Sequence, residues 1–211
     1  MRKTFLAILI IFPVLAYSQI GIKAGINFAN VTKASDINAS SQTGFLVGLF
    51  LAPPSKGVIS SRTELIYSRQ GYSYESNTNT GNVNLDYILL PQLMGINITK
   101  LVQLQLGFQM AFLINGKVDS NTNSSGSNPY GKVMDYYNKF DYGFAAGVEV
   151  HPFKGLLVGA RYNISLGNLY KDPGSYPSGT TPDFIPPVDV KNNVVQVFAG
   201  WTFGKQSSKK K

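Results

Sequence analysis

Residues 102–112 read VQLQLGFQMAF, and a large apolar side chain occupies every second position along them. The positions between hold only glutamine, glycine and alanine. Alternation with a period of two predicts a β-strand that has one apolar face. A soluble sheet would bury that face and display charged side chains on the other. Because the second face here is small and uncharged, the pattern favours a strand whose apolar face contacts lipid.

Similar alternating segments recur along the rest of the chain. They cover residues 20–28, 44–51, 58–70, 85–98, 140–150, 156–167 and 195–203. The segment 85–98 is apolar on both faces, so its facing stays open. The lengths are close to the 9–11 residues that a tilted transmembrane strand needs, and a total of eight is even, as in bacterial single-chain barrels. The sequence therefore predicts an all-β fold, an eight-stranded antiparallel up-and-down transmembrane β-barrel.

The composition agrees with a membrane barrel and excludes several kinds of site. Charged residues make up 14% of the 211 residues, against roughly 25% in a typical soluble domain. Aromatic residues make up 12%, which disfavours disorder. The chain has no cysteine, which excludes disulfides, thiolate metal sites and a cysteine nucleophile.

The N-terminus has the pattern of a secretory signal peptide. Arg2 and Lys3 precede an apolar run over 5–15, and the small residues Ala16 and Ser18 follow it two positions apart. We predict cleavage after Ser18. The predicted organisation is a signal peptide over 1–18, a barrel over 19–204 and a basic periplasmic tail over 205–211.

The predicted connections alternate in length. Short turns are expected at 52–56, 99–100 and 151–154, and longer loops at 30–42, 71–84, 114–138 and 168–192. Outer-membrane barrels have short periplasmic turns and longer outer loops. This pattern predicts a location in the outer membrane with both termini in the periplasm.

Six charged residues fall on the small, polar face of their predicted strands. They are Lys23, Arg62, Glu64, Asp141, Glu149 and Arg161. The interior of an eight-stranded barrel is just wide enough for side chains, and unpaired buried charges are strongly unfavourable. Three positive and three negative charges therefore predict a structural network that plugs the lumen, with Glu149 and Arg161 in one network. A proton or ion path along these residues is the alternative.

Aromatic residues gather near the ends of the predicted strands. Two interfacial girdles are typical of membrane barrels, because amphipathic rings favour the headgroup level. The predicted membrane-interface aromatics are Phe28, Phe45, Tyr67, Phe112, Phe140, Tyr142, Tyr170, Trp201 and Phe203.

Catalytic, metal and nucleotide sites find little support in the sequence. His151 is the only histidine, and it precedes Pro152 at a predicted turn, so we expect neither a Ser-His-Asp site nor a histidine-rich metal site. No glycine-rich phosphate loop follows a strand and opens a helix. The positive charges are spread along the chain without a basic groove, which argues against nucleic-acid binding. We predict no enzymatic activity and no cofactor.

Several segments together resemble the PorT-like outer-membrane β-barrel family. They include TELIYSRQGY (63–72), LDYILLPQLMGI (85–96), DYGFAAGVEV (141–150) and GLLVGARYNISLGNL (155–169). The Glu64–Ser68 and Gly159–Asn163 pieces carry most of the likeness. The resemblance implies an eight-stranded barrel with no established catalytic motif. The family name refers to a protein that is linked to secretion.

Three functions are compatible with this sequence. The leading one is a non-enzymatic integral outer-membrane barrel with a structural, adhesion or assembly role and a largely plugged lumen. It would contact outer-membrane lipid and other envelope or secretion proteins. The second is an accessory component of a protein secretion or transport apparatus. The third is a soluble, lipocalin-like barrel that binds an apolar ligand, which requires an apolar interior and a charged exterior.

Overall fold

The chain forms a closed barrel of eight antiparallel strands. The computed structural model describes residues 19–31, 40–53, 57–75, 80–120, 133–176, 185 and 190–203. Each strand pairs with the next in sequence, and β1 pairs with β8 to close the ring. The predicted up-and-down topology is therefore confirmed. The predicted signal peptide over 1–18 and the predicted tail over 205–211 lie outside the described residues.

The strands range from 10 to 19 residues in length. They are β1 (Gln19–Val31), β2 (Ser40–Ala52), β3 (Ile59–Glu75), β4 (Thr80–Asn97), β5 (Val102–Ser120), β6 (Phe140–Val150), β7 (Leu156–Ser165) and β8 (Asn192–Phe203). Two short 3₁₀ turns, Val133–Asp135 and Pro173–Ser175, lie in the connections. No helix in the described part of the chain is long and apolar enough to cross a membrane.

The barrel turns its apolar face outward. Phe108 is 52% exposed and Phe144 is 55% exposed, whereas Gln105 and Glu149 point inward and are buried. The same alternation holds in β4, whose facing the sequence left open. There Val83, Leu85, Tyr87 and Leu89 all lie inside. An apolar exterior around buried charges is the arrangement expected of a barrel in lipid, where alternate residues face lipid and lumen.

The two ends of the barrel differ. At one end, β2 connects to β3, β4 to β5 and β6 to β7, and both chain ends of the barrel, Gln19 and Phe203, lie there as well. We call this the turn end. At the other, β1 connects to β2, β3 to β4, β5 to β6 and β7 to β8. We call this the loop end.

Two predicted loops are wrong in extent. The loop expected over 71–84 is mostly strand, because β3 continues to Glu75 and β4 begins at Thr80. The loop expected over 114–138 begins later, because β5 continues to Ser120. The predicted alternating segments ended at Gln70, began at Leu85 and ended at Phe112, and their lengths are close to those of strands that span a membrane. The alternation continues beyond that length, since the large residues Tyr72 and Tyr74 still face inward and are buried.

Two glycines are required where the backbone or a ring approaches closely. A Cβ on Gly21 would lie 2.0 Å from the ring of Phe50, which fills the lumen at the turn end. Gly155 has a φ of 90° in the turn between β6 and β7, a left-handed conformation that glycine adopts without steric cost. The first glycine therefore makes room for a lumen side chain, and the second closes a turn.

Candidate functional site

A network of buried ion pairs crosses the lumen, with Glu64 at its centre. Lys23 Nζ donates to Glu64 Oε2 at 3.0 Å. Arg161 binds the same carboxylate through both terminal nitrogens, at 2.7 Å to Oε2 and 3.0 Å to Oε1. Arg62 Nη1 lies 3.8 Å from Glu64 Oε1. Three cations from strands β1, β3 and β7 thus converge on one carboxylate of β3.

Glu149 extends this network toward the turn end. Arg62 donates a short hydrogen bond to Glu149 Oε1, so Arg62 links the two carboxylates. His151 Nε2 lies 3.5 Å from Glu149 Oε2. Burial lowers the pKa of His151 below its ordinary value, which favours the neutral imidazole. Glu149 and Arg161 are therefore connected through Arg62 and Glu64, rather than by a direct contact.

Aromatic rings support the cations of the network. Lys23 Nζ lies 3.7 Å from the ring centre of Phe198, and the guanidinium of Arg161 lies 5.2 Å from the same ring. The guanidinium of Arg62 lies 4.7 Å from the ring centre of Phe50. Cation–π contacts of this kind contribute more when the cation is desolvated. The rings also occupy lumen volume that water would otherwise fill.

Asp141 does not belong to the network, in contrast to the sequence prediction. It lies near the loop end, at the start of β6, whereas the other five residues cluster closer to the turn end. Its carboxylate accepts hydrogen bonds from Ser165 Oγ and from the backbone N–H groups of Tyr142 and Gly167. The facing of Asp141 followed from the strand period, but its height in the barrel depends on strand stagger, which the sequence does not give.

Neutral amide side chains continue the packing toward the turn end. Arg161 Nη2 donates to Gln105 Oε1 at 2.7 Å, and Gln105 donates to Gln103 at 3.2 Å. Gln103 in turn donates to Ser60 at 3.1 Å and to Asn97 at 2.7 Å. The sequence placed Gln105 on the lumen face of its strand, which the structure bears out, but it did not predict these contacts. The sequence signal that could have found these residues is the strand alternation, which places them on the lumen-facing side.

A cluster of tyrosines closes the loop end. We call Tyr72, Tyr137 and Tyr170 the tyrosine cap. The hydroxyls of Tyr72 and Tyr137 are 3.2 Å apart, Tyr72 also forms a short hydrogen bond with Tyr170, and the rings of Tyr137 and Tyr170 lie 5.0 Å apart. Burial raises the pKa of Tyr137 and of Tyr170 well above the ordinary value, so both stay neutral. Sequence reasoning missed this cap.

Tyr170 is accordingly not a membrane-interface residue. It is 8% exposed and faces the barrel axis, because the connection after β7 folds inward and forms a bridge between Tyr137 and Tyr170. The other eight predicted aromatics lie on the outer surface of the barrel. Tyr67 is partly buried there, while Phe28, Phe45, Phe112, Phe140, Tyr142, Trp201 and Phe203 are each at least 39% exposed. Their role at the membrane interface stays a prediction.

An ion pair on the outer surface was also missed. Arg69 donates to both carboxylate oxygens of Asp86, at 2.7 and 3.1 Å, and Asn115 donates to the same carboxylate at 3.0 Å. The guanidinium of Arg69 lies 5.6 Å from the ring centre of Phe45. Between this ion pair and the loop end, the outward-facing residues of β3 and β4 are mostly polar. The ion pair therefore marks the edge of the apolar surface on the loop-end side.

A small cavity lies among the described lumen residues. Its volume of about 10 Å³ is the room for about one water molecule, and it lies toward the loop end. Gln70, Gln109, Asp141 and Asn163 line it, together with apolar side chains. Among the described residues, no three His, Cys, Asp or Glu side chains are grouped as a metal-ligand set.

Comparisons with known proteins identify the family. Residues 12–171 match the outer membrane protein beta-barrel domain. No curated protein is significantly similar to the chain. Similar solved structures include Neisserial surface protein A, at 15% identity and a TM-score of 0.51 over 87% of this chain and 97% of that one. The attachment invasion locus protein Ail of Yersinia pestis is 14% identical, with a TM-score of 0.48 over 88% and 99% of the two chains.

Pseudomonas aeruginosa OprG, an outer membrane protein, is 12% identical, with a TM-score of 0.45 over 89% of this chain and 97% of that one. At these identities the likeness to solved structures shows the fold alone. The family match covers most of the chain, and the barrel presents its apolar face outward as such a family requires. The chain belongs to the outer membrane protein beta-barrel domain family.

Proposed function

We propose that this outer-membrane barrel is closed and non-catalytic, and that it acts through its outer surface in a structural, adhesion or assembly role. The observation that carries the proposal is the double obstruction of the lumen. Buried ion pairs around Glu64 fill its middle, and the tyrosine cap covers its loop end. A transport pathway needs a continuous polar opening, such as rings of charge around a pore. Packed side chains occupy that space instead.

The orientation follows from connection length. We propose that the turn end faces the periplasm, because outer-membrane barrels have short periplasmic turns. Both chain ends of the barrel would then be periplasmic. Removal of residues 1–18 as a signal peptide and a periplasmic tail over 205–211 belong to the same proposal. The loop end, where β3, β4 and β5 extend past the apolar belt, would project from the cell.

A soluble lipocalin-like role is disfavoured by the facing of the strands. That role needs an apolar interior and a charged exterior. The residues around the lumen include five buried charged side chains, Lys23, Arg62, Glu64, Glu149 and Arg161, while large apolar side chains cover the exterior. A buried ligand in this lumen would have to displace ion pairs rather than fill an apolar pocket.

We propose a PorT-like relationship within the family, supported by the segments that include Glu64 and Arg161. That relationship favours the second candidate function, an accessory role in a secretion apparatus. Both of these residues sit at the centre of the charge network, so the shared segments coincide with the part that stabilises the lumen. They do not form a surface that a partner protein would contact.

Site-specific photocrosslinking in native cells separates the two roles. A photoreactive residue at Lys117 samples the loop end, and one at Lys154 samples the turn end; both positions are exposed. Leu106 on the lipid-facing surface serves as the matched control. The proposed role predicts crosslinks from position 117 to surface or external molecules. Specific crosslinks from position 154 to periplasmic or inner-membrane proteins, with none from 117, would instead support the accessory role.

A further inference from the structure

Polar side chains interrupt the apolar exterior of the barrel where β3 and β4 pair. The outward-facing residues of β4 across the apolar belt are Ile88, Leu90, Gln92, Met94 and Ile96. Gln92 is therefore central, with two apolar residues on either side of it. Its ladder partner on β3 is Thr63, and Ser61 follows on the same outward face; both are exposed. We call Ser61, Thr63 and Gln92 the polar patch, and its position places it against hydrocarbon rather than lipid headgroups.

The hydrogen-bonding capacity of the polar patch is only partly used. Thr63 Oγ1 donates to Gln92 Oε1 at 2.7 Å. Nothing in the described part of the chain accepts a hydrogen bond from Gln92 Nε2, which carries two hydrogens, and Oε1 has a second lone pair. Because the bilayer core holds no water, an amide left unpaired there is costly. A partner that reaches the same depth would satisfy the amide.

We propose that the polar patch is the contact between two copies of this chain that lie side by side in the membrane. Every copy has the same orientation, so each presents Gln92 at the same depth. A primary amide is self-complementary: Nε2 of each Gln92 can donate to Oε1 of the other, while Thr63 keeps its own bond. Small side chains let membrane-embedded surfaces approach closely, and Ser61 and Thr63 are small.

The depth of the polar patch decides between this occupant and others. Lipid headgroups and soluble proteins do not reach the middle of the bilayer, which leaves membrane proteins. Among these, a second copy matches both the depth and the chemistry of Gln92 without any further requirement. The inference depends on the position of the barrel in the membrane, and not on the surface role proposed above.

Energy transfer between labelled copies in lipid vesicles tests the contact. The chain has no cysteine, so Lys154→Cys in the exposed turn after β6 gives a single labelling site. Donor-labelled and acceptor-labelled barrels are mixed at protein densities so low that unassociated barrels show no transfer. We expect transfer with no other change in the chain. Gln92→Leu should raise the dissociation constant about eight-fold, the loss expected for two hydrogen bonds between membrane-embedded polar groups.

Two controls separate association from folding. Gln92→Leu places an apolar side chain against lipid, so it should fold as readily as the unmodified chain, which the heat-dependent shift in gel migration checks. Val197→Leu alters the outer face of β8, four strands away from β4, and should leave the transfer unchanged. Absence of transfer in the unmodified chain at every density would overturn the proposal. Equal transfer after Gln92→Leu would overturn it as well.

Crosslinking in native membranes tests for a different occupant. Leu106 pairs with Met94 in the ladder and is exposed next to the polar patch. The photoreactive residue at position 106 should therefore attach to a second copy of the chain. Exclusive attachment to a different outer-membrane protein would overturn the proposal and assign the polar patch to that protein.

Discussion

Glu64 is the residue on which the lumen depends most. It contacts Lys23 and Arg161 directly and lies 3.8 Å from Arg62. Breaking a buried ion pair by removing one partner is more costly than never forming it, because the other charge stays buried without compensation. At Glu64 one substitution leaves several cations in that state. The stability of the barrel should therefore be more sensitive here than at any exposed carboxylate.

Replacing this carboxylate tests that view. Glu64→Gln should lower the free energy of unfolding in lipid vesicles by about 3–5 kcal/mol, measured by urea titration. Asp119→Asn, at an exposed position near the end of β5, is the control and should change it by less than about 0.5 kcal/mol, since the Asn oxygen can still accept from Asn84. If both variants lost the same small amount, the network would contribute little.

The pattern of coupling should follow the contacts. Glu64→Ala and Arg161→Ala together should cost clearly less than the sum of the single changes, because the two side chains share two hydrogen bonds. Glu149→Ala and Arg161→Ala should couple more weakly, since their connection runs through Arg62. Double-mutant cycles by urea unfolding measure both terms. Stronger coupling for the second pair would contradict the contacts described above.

Facing can be tested by placing arginine on each side of β5. Phe108→Arg puts a charge on the lipid face near the middle of the apolar belt and should cost about 2–4 kcal/mol of folding free energy in vesicles. Gln103→Arg puts the same charge inside, opposite Glu149 in the strand ladder, and should cost less. Position 105 is unsuitable as the inner site, because Gln105 already contacts Arg161. An equal or larger loss at position 103 would contradict the assigned facing.

At the scale of single residues, the sequence predicted which way a side chain faces better than it predicted which residues that side chain contacts. Strand alternation placed all six lumen charges on the inner face, which is where the structure has them. It failed for Asp141 as a network member and for Tyr170 as an interface residue. Both failures have a physical cause: stagger between strands and the path of a connection are set by the whole barrel, and period two carries no information on either.

At the scale of single strands, packing in the lumen depends on the volumes of the side chains that face each other. Gly21 on β1 faces Phe50 on β2, and these residues are direct partners in the ladder. A Cβ at position 21 would lie 2.0 Å from the end of the ring, so the ring would have to move. Since Arg62 stacks on that ring, a shift would also disturb the ion network.

Enlarging the side chain at position 21 and shrinking the one at position 50 tests how closely the two residues pack. Gly21→Val should destabilise the barrel by about 1–3 kcal/mol through overpacking. Adding Phe50→Leu should recover part of that loss, although Phe50→Leu alone is destabilising by cavity formation. The readout is again urea unfolding in vesicles. If the second change simply added its own cost to the first, Gly21 and Phe50 would not be packed against each other.

Strand boundaries were the least predictable feature of the elements. The number of strands follows from alternation, as does the facing of the strands other than β4, and the structure bears both out. The ends of β3, β4 and β5 at the loop end did not follow. Outward-facing residues there, such as Ser73, Asn82 and Asn84, are polar, so the apolar face that marks a lipid-facing strand is missing. Beyond the predicted ends the strands continue to pair, and Tyr72, Tyr74 and Val83 belong to the buried apolar core.

For the whole molecule, closure of the barrel has two independent parts. The ion network around Glu64 lies within the membrane-spanning region, and the tyrosine cap lies at the loop end. Either alone would restrict passage. A barrel of this kind presents its surface rather than its lumen, and this is the central claim about its function.

Planar-bilayer recording tests that claim most directly. The unmodified mature protein, refolded and inserted into a bilayer, should give no steady single-channel current across the usual range of voltages. Insertion is checked by the heat-dependent shift in gel migration that folded barrels show. A large, stable and open conductance in the unmodified protein would mean that the lumen is a channel, and it would contradict both the structural role of the buried charges and the proposed function.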